Sequence, residues 1–319
     1  MMNFQLRHNL LITIFIIVTI ATMWLLMKVL SYSYEQLTRQ EAAAPTDNEV
    51  VAQEVAYVEK IDQFALQEFG ENQRLSHYVE AQVYYNFEQS PALLINPKVT
   101  TYDLQGESNY VLSAKRANYL DSGEVRFTGQ VDVSSSDGMT HKMNTEELLI
   151  DTHTDDLVSH KKVTYLGENA NIVSQGMQMK TKDNKLKLTG DTRINQNSGQ
   201  KLLTQDLYVD QSNNQKHYYS DNQTTYLSTA SKIIAQGMDM DMKSELTQLL
   251  GDVDILQASG STIKSHHLII DQAQGQEIYK TDDKIHYQSG VADIRATGMY
   301  YDAARQKITF KGGVVGRYE

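Results

Sequence analysis

One spacing constrains this chain more than any other feature. Gly129, Gly190, Gly251 and Gly312 stand 61 residues apart. Gly176, Gly237 and Gly298, each followed by Met, keep the same step, as do Gly138, Gly199 and Gly260, and Tyr165, Tyr226 and Tyr287. Such a period marks an array of similar units, none of which buries its apolar face alone. The period also halves. Asp121, Asp151, Asp210, Asp241, Asp271 and Asp302 recur roughly every 30 residues, with Thr181 in the missing place. The residues before them read NYLD, LLID, QMKT, LYVD, MDMD, LIID and MYYD, so each half-unit repeats one strand and one turn.

Within the units the apolar residues alternate. Val125, Phe127, Val131 and Val133 are separated by polar positions, and so are Leu186, Leu188 and Ile194, Ile308 and Phe310, and Met238, Met240 and Met242. A period of two is a strand with one buried face. Gly129 and its equivalents fall inside these runs, where glycine marks a bulge or bend. Turn signals lie between the runs at Asp121-Ser-Gly, Asp137-Gly, Asn197-Ser-Gly and Ser212-Asn-Asn. The three prolines, Pro45, Pro91 and Pro97, all precede Lys98, which leaves over two hundred residues free for hydrogen-bonded ladder. The expectation is an all-β fold: an antiparallel β array of half-repeats, folded over on itself as a jelly roll or open V. A parallel β-helix competes, but its rungs are shorter and lack hairpin signals.

Leu10 to Leu30 is almost wholly apolar and reaches about 30 Å as a helix, enough to span a bilayer. Arg7 precedes it, and Trp24, Tyr32 and Tyr34 flank the far end. A cleaved signal peptide has a shorter apolar core and a cleavage site close behind it. Here the A-x-A candidate, Ala42 to Ala44, lies well downstream. The sequence therefore predicts a cytoplasmic N-terminus at 1–9, a transmembrane anchor at 10–30, a polar stalk at 31–60, and the bulk of the chain outside the cytoplasm.

The formal charge is −11, with no basic surplus for nucleic acid. The absence of cysteine excludes disulfides, thiolate metal sites and cysteine catalysis. No G-x-S-x-G, H-E-x-x-H, Walker A or G-x-G-x-x-G motif occurs, so neither an enzyme nor a bound cofactor is expected. His266 and His267 are expected on opposite faces of a strand, where they cannot share a metal. Asp239 and Asp241 share a face, but a hard cation wants more oxygens than two. Adjacent tyrosines at Tyr84-Tyr85, Tyr218-Tyr219 and Tyr300-Tyr301 face opposite ways on strands and read as half-buried sheet residues.

A family resemblance runs through residues 60 to 195. An N-terminal span is followed by F-x-x-x-x-F-G (Phe64, Phe69, Gly70), Y-x-x-A (Tyr78, Ala81), Pro97, Tyr102, Gly106, Tyr110 and Ala114. Then come F-x-G-x-V-x-V from Phe127 to Val133, Thr145-x-x-Leu148, V-x-Y-x-G from Val163 to Gly167, and Gly176-Met177. In their order these resemble the LptC family of lipopolysaccharide export proteins. The later repeats, 196–319, resemble LptA-like periplasmic bridge units continuing the array of the LptC-like part, 61–195. The resemblance implies a β-jellyroll anchored in the bacterial inner membrane, with its bulk in the periplasm. It would accept lipopolysaccharide from an inner-membrane ABC transporter and pass it toward an LptA-like bridge protein or outer-membrane receiver.

Alternation supplies the candidate interior. Phe127, Val131, Leu148, Ile150, Val163, Tyr165, Met177 and Met179 should point inward. Leu186, Leu188, Leu207, Val209, Met238, Met240, Leu268 and Ile270 should continue the same path. Few large aromatics are expected among them, leaving a lining suited to acyl chains. Phe64, Phe69 and Tyr78 at one end, and Ile308 and Phe310 at the other, should form open edges that take a partner's strand. A structural tether with a filled core and no cargo is the alternative. An enzyme acting on envelope glycan would need a carboxylate pair in a cleft, which the sequence does not locate.

Overall fold

In the computed structural model the described residues are 57–318, apart from 71–72, 104, 121, 136–141, 155, 168, 181–184 and 211–216. The anchor, nearly all of the stalk, and the turn positions Asp121, Asp137, Gly138, Thr181 and Ser212 lie outside them. Among the described residues no helix is long and apolar enough to cross a membrane.

The described residues are strand nearly throughout. The series begins with β1 (Tyr57–Phe69), β2 (Leu75–Phe87), β3 (Ala92–Ile95), β4 (Lys98–Tyr102), β5 (Ser108–Ser113), β6 (Arg116–Tyr119), β7 (Glu124–Ser135) and β8 (Lys142–Asp151). It continues with β9 (Leu157–Ser159), β10 (Val163–Leu166), β11 (Ala170–Ser174), β12 (Gly176–Lys180), β13 (Lys185–Gln196), β14 (Lys201–Asp210), β15 (His217–Ser220), β16 (Thr224–Leu227) and β17 (Ser231–Ala235). Last come β18 (Gly237–Asp241), β19 (Leu246–Leu250), β20 (Val253–Gln257), β21 (Thr262–Ser265), β22 (Leu268–Asp271), β23 (Ile278–Gln288), β24 (Ala292–Asp302), β25 (Lys307–Phe310) and β26 (Val315–Tyr318).

Pairing resolves them into two antiparallel ladders. The first runs β2–β3–β6–β7–β8–β9–β12–β13–β14–β15–β18–β19–β22–β23–β24–β25. The second runs β2–β4–β5–β7–β8–β10–β11–β13–β14–β16–β17–β20–β21–β23–β24–β26. The long strands β2, β7, β8, β13, β14, β23 and β24 belong to both, one half in each. β1 adds to β2 as an outer strand. This is the folded-over antiparallel array that the half-repeats predict.

The fold line lies where the long strands change ladder. Register slips there between Thr128 and Val131, Leu188 and Asp191, and Thr281 and Lys284. Gly190 sits in such a slip with φ +74°, a left-handed conformation open to glycine. Gly251 and Gly312 hold the same place in the repeat, but there the strand stops: β19 gives way to β20, and β25 to β26. The repeat therefore fixes a corner, and either a bulged strand or two short ones turn it.

Polar groups at the corner are satisfied by hydroxyls. Thr145 Oγ1 lies 2.9 Å from Ser159 Oγ. One repeat later, Thr204 Oγ1 bonds Ser220 Oγ at 3.0 Å and accepts from Thr224 Oγ1 at 3.1 Å. Ser265 and Thr281 repeat the pair at 3.4 Å. The inward residues between corners and hairpin tips face one continuous apolar core from Leu112 to Ala303. Each buried Leu, Ile or Met adds about 1.5–3 kcal/mol, so stacking units accumulates stability that one unit lacks.

Candidate functional site

The core between the ladders is the candidate site, and alternation fills it as expected. Val131, Leu148, Val163, Leu188, Leu207, Met238 and Ile270 have no exposure. Phe127, Tyr165, Met177, Met179, Leu186, Val209, Met240 and Leu268 are also buried, and Ile150 packs against the same cluster half-buried. Their neighbours Arg126 and Asp239 point outward.

The expectation of few aromatics is corrected. Tyr165, Tyr218, Tyr226 and Tyr279 are among the largest fully buried side chains, and Tyr301 is buried with them. The adjacent pairs do split across the pleat: Tyr218 is buried and Tyr219 is 37% exposed. The inner member of the pair, however, goes fully into the core. Tyr226 and Tyr279 meet edge-on at 6.4 Å, and Tyr279 tilts against Tyr301 at 5.3 Å. Such rings keep a polar handle that needs a partner, and that need organises the open side of the sandwich.

Opposite the corner, hairpin tips of the two ladders face one another, and polar side chains join them. Gln196, at the end of β13 in the second ladder, exchanges two hydrogen bonds with Gln272, just after β22 in the first, at 3.0 and 3.2 Å. Gln196 Nε2 also points at Met240 Sδ, 4.0 Å away. The Tyr226 hydroxyl, from β16 in the second ladder, donates to Glu277 Oε1 at 3.0 Å. Glu277 precedes β23 and also accepts from the Tyr279 hydroxyl at 2.5 Å. That hydroxyl lies 2.6 Å from Ser231 Oγ across the gap. Burial pushes the Tyr226 and Tyr279 hydroxyls above the ordinary phenol range, reinforced by the neighbouring Glu277 carboxylate, so both remain donors. Tyr226 lies on the 61-residue grid, which was the signal available. Gln196 and Gln272 recur at the same step, as Gln257 and Gln211, and follow Ile194 and Ile270 by two, but neither signal says that they meet; Glu277 has no such counterpart.

The ends differ from the middle. β1 is exposed along almost its whole length, with Phe69 62% exposed and Phe64 stacked 4.9 Å from Tyr84 of β2. Tyr78 is half-buried. At the far end Ile308 and Phe310 are half-buried against the core, while β26 is exposed throughout.

The remaining candidates have local roles. Asp241 Oδ1 accepts from the Lys243 and Ser244 amides in a turn, at 2.9 and 3.3 Å, and Asp239 pairs with His217 at 3.4 Å. His266 and His267 do not lie within a strand, contrary to expectation. They occupy the corner between β21 and β22, both exposed, with their rings 4.3 Å apart. The pleat that would have separated them stops at Ser265. His266 pairs with Asp252 and His267 with Asp283.

Comparison with curated proteins returns no match. A family model described as lipopolysaccharide-assembly, LptC-related, matches residues 15–195, 178–258 and 249–319. The later repeats are thus read by the same model as the first part, in keeping with one register running through both. Matched over most of its length, the chain belongs to the LptC-related family of lipopolysaccharide-assembly proteins.

Proposed function

We propose that this protein is the membrane-anchored, non-enzymatic link of a lipopolysaccharide bridge. It takes lipopolysaccharide from an inner-membrane ABC transporter and passes it, acyl chains inward, along the space between its two ladders toward the outer membrane. The observation that carries this is the unbroken register of the interior. Phe127, Met177, Leu207, Met238 and Leu268 lie on one inward face through successive units. Family membership supplies the lipopolysaccharide. Each buried CH₂ contributes about 0.8 kcal/mol, so acyl burial has the strength to hold cargo against a chain of net charge −11. The open strands at both ends suit docking by strand addition to the transporter on one side and a receiver on the other.

The filled-core tether is the second reading, and the near-zero exposure of the interior favours it. Carriage requires the ladders to part. A photo-reactive residue at Phe127 or Met238, in cells exporting lipopolysaccharide, should capture the lipid, while one at Arg126 or Asp239 should not. Equal capture at both sets, or none at either, leaves the tether. The anchor is tested separately: mass spectrometry of the membrane-bound protein should find residues 10–30 intact, and a mature chain starting near Pro45 would contradict it.

A further inference from the structure

Thr247 is 1% exposed, faces inward from β19, and its hydroxyl has no hydrogen-bond partner among the described residues. An unpaired buried hydroxyl is a cost that native cores avoid, and a swap to valine would remove it. Thr247 sits in register beside Met240 on one side and Ile270 on the other. Met240 is the residue whose sulfur Gln196 touches. The orphan hydroxyl is therefore one strand away from Met240, which the bridge touches, and from Ile270, two residues before Gln272. A second unpaired acceptor sits at the other side of the bridge's hairpin. Gln200 Oε1 is buried with no partner among the described residues, and the Gln200 carbonyl takes the Gln196 amide at 2.9 Å across the hairpin tip. Gln200 also precedes Leu202 by two, which puts it on the inward face.

The bridge itself is suited to exchange. Two side-chain amides that bond each other across a gap give up both bonds together, and each then offers a donor and an acceptor. An amphiphile with chains between the ladders and its head in water must set its linkages at this gap. Those linkages are esters, amides and hydroxyls, which need both donors and acceptors.

We infer that Gln196, Gln200, Thr247 and Gln272 form a binding site for the acyl linkages of an amphipathic lipid, closed over itself when no lipid is bound. This rests on the reading of the protein as a lipid carrier and adds where the polar junction is held. The Thr247 hydroxyl and the amide edges replace the water that the linkages leave behind. The bridge keeps the empty interior shut.

The test uses the full chain in nanodiscs, rough-type lipopolysaccharide as probe, and a photo-reactive residue at Ile233, which has no exposure and stands two strands across from Leu202. Capture at Ile233 with the site unaltered reports carriage alone. Thr247→Val should leave the denaturation midpoint equal or higher yet reduce that capture about fivefold, the loss of one ordinary hydrogen bond. A photo-reactive residue placed at Gln272 should also capture the lipid. Capture at Ile233 that is unchanged by Thr247→Val, together with none at Gln272, overturns the site while carriage stands. A Thr247→Val protein that is less stable assigns the hydroxyl to the fold and overturns it too. No capture at Ile233 in the unaltered protein removes carriage and the site with it.

Discussion

Gly176 and Gly190 occupy the same 61-residue grid for different reasons. Gly190 is there for its positive φ. Gly176 has ordinary backbone angles, but a Cβ on it would lie 2.6 Å from the Ser159 carbonyl oxygen. Its equivalents Gly237 and Gly298 face the carbonyls of Ser220 and Thr281 at 3.0 and 3.1 Å. A backbone oxygen cannot swing aside, so Gly176→Ala should cost about 3 kcal/mol. Gly199→Ala meets nothing within 4 Å and pays only for its φ of +98°, about 1–2 kcal/mol. Urea midpoints of the two variants should fall in that order; equal midpoints would refute the crowding. Asp206 gives a pH test. It holds φ +50° opposite the Gly190 bulge, where its carboxylate takes the Lys187 ammonium at 2.9 Å and the Gly190 amide at 2.8 Å. Those bonds, Lys187 foremost, hold its carboxyl below the usual range. A folded value below the unfolded one, near 3.9, means the stabilisation is complete above that pH and fades as pH falls through the folded value. Asp206→Asn should flatten the acid limb of a stability-against-pH curve, leaving the neutral region lower; an unchanged acid limb would show that the pair contributes nothing.

At the scale of strands and turns, much was legible. The aspartate series marks hairpin tips because the side chain caps the turn. Asp151 takes the His153 amide, Asp271 the Ala273 amide and Asp302 the Arg305 amide, at 2.8, 3.1 and 3.0 Å. Period-two alternation placed the inward set because a pleat leaves no other choice. It did not say which inward residues close the gap between ladders, since those meet across the fold and not along a strand. It also misplaced His266 and His267, where the corner interrupts the pleat. The far edge shows how structure sharpens an expectation. The Lys311 amide donates to the Gly298 carbonyl of β24 at 3.0 Å. Amides in a strand alternate sides, so Thr309 also faces β24, and Ile308 and Phe310 face the open edge. Ile308→Pro should therefore keep the fold, with a melting temperature within a few degrees, and abolish co-purification with a downstream partner. Thr309→Pro should instead break the ladder and loosen β25. If Ile308→Pro keeps its partner, this edge is not the docking surface.

At the largest scale, residues 58–319 behave as a quasi-one-dimensional stack. Each unit pairs with its neighbours, and the same corner recurs, so length is set by the number of units and not by a closed core. Whether the interior opens was not legible, because alternation describes a face and is blind to the distance between two faces. The stack itself makes a sharp prediction. Gly190 and Gly251 hold equivalent corners, so deleting residues 191–251 joins Gly190 to Asp252 with every inward residue still inward. In the first ladder the excised period carries the chain from β13 through β14, β15 and β18 to β19. That is four strand steps, or about 19 Å at roughly 4.8 Å each. The shortened protein should stay folded with a single cooperative transition, and small-angle scattering should find its long dimension reduced by that amount. Deleting 191–235 removes a stretch out of phase with the period and should leave an unfolded, aggregating chain, because the strand after Gly190 would bring corner residues where core residues belong. Equal tolerance of both deletions would mean that the 61-residue register does not hold the stack together.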